Sequence, residues 1–109
     1  MGFNRTKENN SLFLPYKKIE NKKNYKFVQA DINKDFDKLI HNIDNFKPQI
    51  IIDFLGQGMV AQSWVKPEQW YNTNIIAKIK LIDHLKNKIW LKNILEYLPL
   101  KFMEVQKIY

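Results

Sequence analysis

The chain has 109 residues, no cysteine and a formal net charge of +7. That length admits one domain with a modest core and is short for a complete two-layer α/β enzyme. The lack of cysteine excludes a disulfide framework and thiolate metal sites. Seventeen of the 18 basic residues are lysine, accompanied by 14 isoleucines and 12 asparagines. The charge therefore reads as the drift of an AT-rich coding sequence rather than a surface built for phosphate or guanine, which favours arginine forks.

The first ten residues are polar and carry no apolar segment of the signal-peptide kind. Wholly apolar runs are as short as Ile50, Ile51, Ile52, far below the roughly 20 residues of a spanning helix. A soluble cytoplasmic protein with no membrane partner is expected. Residues 1–24 read as a short extended start followed by loop, with Pro15 breaking any helix. Residues 25–30 alternate apolar and polar side chains and suit a strand. Asp31, Ile32 and Asn33 form a strand-to-helix turn, with Asn33 as the expected N-cap. Over residues 34–46 apolar positions recur at 36, 39, 40, 43 and 46, the spacing of an amphipathic helix. Lys47-Pro48 stops it, because a residue before proline avoids the α region.

Residues 49–55 (QIIIDFL) are nearly continuous and β-branched, as in a parallel strand buried on both faces. Residues 25–55 thus predict a βαβ unit. A loop over residues 56–64 holds Gly56 and Gly58. Pro67 suits the first position of a helix running to about residue 85 or 88, with its apolar stripe at Tyr71, Ile75, Ile79, Ile82 and Leu85. A second helical stretch is expected over residues 90–97, and a strand over residues 101–105.

Side chains with possible chemistry are few. His41 and His84 have no partner at metal-ligand spacing, so no metal site is expected. Asp53, inside an apolar strand, reads as a hydrogen-bonded buried carboxylate. Trp64, Trp70, Tyr71 and Trp90 read as packing residues rather than base-stacking platforms.

Residues 51–85, IIDFLGQGMVAQSWVKPEQWYNTNIIAKIKLIDHL, resemble the fourth strand, loop and following helix of the extended short-chain dehydrogenase/reductase family. These are the NAD(P)-dependent epimerases and dehydratases of nucleotide sugars. The family pattern there is a hydrophobic strand, an Ala-Ala-Gln-like turn, Val-x-x-Ser, Pro and a later Asn. Gly56-Gln57, Val60, Ser63, Pro67 and Asn74 occur in that order. Gly2-Phe3-Asn4-Arg5 looks like the end of the family's second strand, and Asp31-Ile32 like its adenine-binding pair.

The resemblance implies an α/β fold, an incomplete Rossmann-like doubly wound parallel sheet lacking the first strand and its Gly-rich loop. Its parts would be a second-strand stub and loop (1–24), the βαβ unit (25–55), a cofactor-side loop (56–66), helices (67–98) and a divergent tail (99–109). It also implies roles in holding NAD or NADP. Asp31 would accept from the adenine amino group and Ile32 would cover the ring. Leu55, Gly56 and Gln57 would line the riboses. Asn74 would stabilise the helix or a water near the reacting centre. Asn4-Arg5 stand where NAD-specific relatives carry an acidic residue for the ribose 2′-hydroxyl, which leans towards NADP.

Intact relatives oxidise a sugar hydroxyl of a nucleotide sugar, and the ketone permits epimerisation or dehydration before hydride returns. This sequence contains no G-x-x-G-x-x-G and no catalytic Ser/Thr with Tyr-x-x-x-Lys in the family position. A literal Tyr97-x-x-x-Lys101 contains Pro99, so its two side chains cannot share a helical face. The expectation is a truncated member, ended by a shift of reading frame near residue 96, marginally stable, inactive alone and without measurable NAD(P) binding. The alternatives are a small interaction module or homo-oligomer docking through the helix over residues 67–88, and, less favoured, a basic nucleic-acid binder.

Overall fold

The computed structural model describes residues 1–8, 14, 17, 25–58 and 60–96. The expected strand over residues 101–105, the divergent tail and the Tyr97-x-x-x-Lys101 pair lie outside the described residues. The chain divides into two compact units, Met1–Lys47 and Pro48–Tyr109.

In the first unit, β1 (Gly2–Asn4) pairs in parallel with β2 (Phe27–Gln29), with Phe3 opposite Val28. The ladder is extended at both ends, where the Gly2 N–H donates to the Lys26 carbonyl (2.8 Å) and the Ala30 N–H to the Asn4 carbonyl (3.0 Å). After β2 the chain turns into α1 (Phe36–Phe46), whose periodic apolar side buries Leu39 and Ile43 with Val28, Ala30 and Ile32.

The helix starts later than its pattern suggests, and Asn33 does not cap it. Asp35 occupies the cap position and makes no side-chain cap bond. Its carboxylate turns back to accept the Asp31 N–H at 2.9 Å. Asparagine and aspartate compete with helix by bonding nearby backbone, which shortens the first turn here. At the other end, Lys47 adopts the left-handed conformation (φ 50°, ψ 59°) and donates its N–H to the Ile43 carbonyl. The stop before Pro48 is where the sequence places it.

The second unit contains β3 (Ile50–Asp53), α2 (Val60–Val65), α3 (Pro67–Tyr71), a π-helical turn (Asn72–Ile76), α4 (Ala77–Leu85) and β4 (Asn93–Glu96). Pro67 opens α3, and helical backbone then continues to Leu85 as expected. Three expectations are corrected. Residues 90–96, expected as part of a second helix, are not helical: β4 pairs in parallel with β3, setting Ile52 opposite Leu95 and Asp53 opposite Glu96. Residues 60–65, expected as loop, form α2, since no glycine or proline interrupts them between Gly58 and Pro67. The strands of the expected βαβ unit do not pair with each other; β2 joins β1 and β3 joins β4.

Burial departs from expectation as well. The inward face of α4 is Ala77, Lys78, Leu81 and Leu85. Of the stripe read from sequence, only Leu85 is buried; Tyr71, Ile75, Ile79 and Ile82 are exposed. Both sets recur at three- and four-residue intervals, so periodicity alone cannot choose between them. Strand β3 is not buried on both faces either: Ile50 and Ile52 are exposed, on the face that also carries the exposed Leu95. Trp64, read as a packing residue, is 81% exposed, and Tyr71 is exposed beside Trp70 in an edge-to-face pair 5.6 Å apart. No helix among the described residues is long and apolar enough to cross a membrane.

Candidate functional site

In open parallel sheets, ligands meet the carboxyl ends of the strands. Each unit presents one such end.

In the first unit, Asn4 and Arg5 leave β1 beside the residues that leave β2. The Gln29 side-chain amide donates to the Arg5 carbonyl (3.1 Å), and the Asn4 Oδ1 accepts the Thr6 N–H (3.3 Å). The Arg5 side chain is exposed. The Asp31–Asp35 turn is tightly bonded. The Asp31 carbonyl accepts the N–H groups of Lys34 (3.1 Å) and Asp35 (2.7 Å), and Asp31 Oδ1 accepts that of Asn33 (2.8 Å). Asp31 Oδ2 and the neighbouring Ile32 N–H have no partner among the described residues. The Ile32 side chain is 6% exposed and packs in the core.

In the second unit, Asn74 reaches from the π-helical turn to the segment leaving β3. Its Oδ1 accepts the Gln57 N–H at 2.7 Å, and its Nδ2 donates to the Gln57 carbonyl at 3.1 Å. One side chain thus satisfies both backbone groups of a single loop residue. Five-residue turns of π-helix often mark functional sites, and this one contains Asn74. Gly56 is exposed, and a Cβ built on it would meet only Asn74 Oδ1, at 3.9 Å. Its φ is not positive. Neither backbone conformation nor crowding inside the protein requires glycine there. Leu55 is half-buried, and its N–H donates to Asp53 Oδ1 at 2.6 Å.

Asp53 is the hydrogen-bonded, part-buried carboxylate that its place in an apolar strand suggests. Its cation was not read from the sequence. Lys78, 9% exposed, lies 3.3 Å from Asp53 Oδ2, and its ammonium also bonds the Glu96 carboxylate. The available signal was a lysine four residues after Asn74, at core spacing with Leu81 and Leu85, and an aspartate inside a β-branched strand.

The sequence-predicted residues are therefore divided: Asn4, Arg5, Asp31 and Ile32 belong to one unit, and Leu55, Gly56, Gln57 and Asn74 to the other. Within each unit they gather at a strand's carboxyl end. Residues 3–102 match the family model for GDP-mannose 4,6 dehydratase. The chain belongs to that family. A CDP-glucose 4,6-dehydratase of Salmonella typhimurium (strain LT2) is 34% identical over 53 residues, which are 49% of this chain and 15% of that protein. The GDP-mannose 4,6 dehydratase family match bears out the resemblance to epimerases and dehydratases read from residues 51–85. Two small parallel sheets with helices are compatible with the Rossmann-like α/β fold that this membership implies.

Proposed function

We propose that this chain is a nucleotide-sugar dehydratase fragment that presents two NAD(P)-facing segments and performs no dehydration alone. The observation that carries the reading is the Asn74 clamp on Gln57 at the carboxyl end of β3. It holds backbone rigidly beside a glycine that the fold itself does not require.

The residues fit the adenosine part of the cofactor. Asp31 Oδ2 is an acceptor beside the Ile32 N–H donor, which complements the amino group and adjacent ring nitrogen of adenine. Exposed Arg5 suits a ribose 2′-phosphate, so NADP is the favoured form. Bound NAD(P) would supply reversible hydride removal from a sugar hydroxyl. The pyrophosphate finds no Gly-rich loop in this sequence. The family's name, GDP-mannose 4,6 dehydratase, and that of the CDP-glucose 4,6-dehydratase relative point to a sugar linked to a nucleoside diphosphate as the substrate class. Family membership favours an incomplete doubly wound parallel sheet as the parent fold.

Amide NMR of the full chain with millimolar NADP, read beside calorimetry, tests this. Shifts at Asp31, Ile32 and residues 55–57 without micromolar-affinity heat are expected. Asn74→Ala should erase the response of residues 55–57, because removing both bonds costs about 1–3 kcal/mol of loop order. Silence at all five amides would sink the reading, and micromolar binding would sink the claim of an incomplete site.

A second reading has one specific observation behind it: the exposed row Tyr71, Ile75, Ile79 and Ile82. It favours association through the helix over residues 67–85.

A further inference from the structure

Lys78 is a buried cation that the proposed cofactor contacts leave unused. It projects from α4 towards the carboxyl ends of β3 and β4, where Asp53 and Glu96 are register partners. Burying an ammonium is costly unless carboxylates surround it, and here two do. The Asp53 carboxylate is divided between two duties: Oδ2 faces the Lys78 ammonium at 3.3 Å, and Oδ1 accepts the Leu55 N–H at 2.6 Å. One turn earlier on the same helical stretch, Asn74 holds Gln57. The segment leaving β3 is thus tied to the helix twice: directly at Gln57, and through Asp53 at Leu55.

We infer that Lys78 is a positioning residue for the Leu55–Gln57 segment. By fixing the rotamer of Asp53 it holds the Leu55 N–H, and so sets the backbone offered to the cofactor. Its bond to Glu96 anchors the ammonium to β4 and is not the route to Leu55. The inference rests on the proposed role of this segment; Lys78's hold on Leu55 is measured without any ligand.

The test is residue-resolved hydrogen exchange on the full chain. Lys78→Met should accelerate exchange of the Leu55 amide about tenfold or more, the loss of a hydrogen bond held by a charge-paired carboxylate. The Leu81 and Leu39 amides should hold their wild-type rates. Asp53→Ala should have the same effect on Leu55, and adding Lys78→Met to it should change Leu55 no further. Glu96→Gln should leave Leu55 within about twofold of wild type. If Lys78→Met alone fails to fold, the comparison is made in the Glu96→Gln background, where only one carboxylate remains to be neutralised.

Three results would overturn the inference: a Leu55 amide indifferent to Lys78→Met, an undiminished effect of Lys78→Met in the Asp53→Ala background, or equal loosening by Glu96→Gln. The last would make the cluster a strand clamp and nothing more. Leu55 behaving as expected while NADP shifts no amide would sink the cofactor reading and leave Lys78's hold on the backbone standing. NADP shifts with Leu55 indifferent to Lys78 would do the reverse.

Discussion

Lys47 ends α1 in a left-handed conformation, which costs a residue with a Cβ about 1–2 kcal/mol. Glycine avoids that cost and loses part of the gain to its larger unfolded-state freedom. Lys47→Gly should therefore stabilise the first unit by about 0.5–1 kcal/mol. Denaturant melting followed at the Leu39 and Ile43 amides checks this, and a loss of stability would show that the strain is relieved by contacts of the lysine stem. The position also shows what was legible residue by residue. The stop at Lys47-Pro48 follows from proline sterics, which act locally, and Asp53 was readable because a carboxylate in an apolar strand must be bonded. Lys78 was not, because a lysine on a helix is far more often solvated than buried. Only the β3–β4 pairing, which sets Asp53 beside Glu96, makes the buried site tolerable.

At the scale of elements, the helix over residues 67–85 is apolar on two sides, and the structure settles which one is core. Leu85 is 1% exposed and Ile79 is 57% exposed. Leu85→Ala should destabilise the second unit by about 2–5 kcal/mol, through lost burial and the cavity left behind. Ile79→Ala should change stability by less than about 0.5 kcal/mol. Denaturant midpoints monitored at the Leu81 amide would measure both. Equal costs would mean that the exposed stripe is covered in solution. The elements that sequence predicted well (β2, α1, β3 and the helix opened by Pro67) carry their periodicity and stop signals within themselves. Strand β4 does not. Asn93–Glu96 is four residues long, and it is extended because β3 offers a parallel ladder, starting where the Lys92 and Asn93 N–H groups donate to the Gln49 carbonyl. Such pairing is tertiary and overrides weak local propensity. The Asn74–Gln57 clamp was hidden for the same reason: its partners are 17 positions apart.

At the scale of the whole molecule, a net charge of +7 opposes self-association while the row Tyr71, Ile75, Ile79 and Ile82 favours it. Each of these side chains is about half exposed and would gain about 1 kcal/mol on burial. A symmetric contact between two copies uses the row twice, for about 8 kcal/mol in all. That falls within the roughly 4–15 kcal/mol lost in bringing two bodies together, so association through this row alone is weak and concentration-dependent. Like-charge repulsion between copies is screened by salt, over about 10 Å at 0.1 M ionic strength. Sedimentation velocity of the full chain should show dimers growing between micromolar and millimolar protein, and growing further as salt is raised. Ile75→Asp combined with Ile82→Asp should leave a monomer at every concentration. Its Leu81 and Leu85 amides should be unchanged, since neither substitution touches the buried face. A wild-type chain monomeric throughout, or dimers that survive the double substitution, would remove this row as a docking surface. Other exposed apolar side chains among the described residues, Ile50 and Ile52 on β3 among them, would then be the candidates for any association.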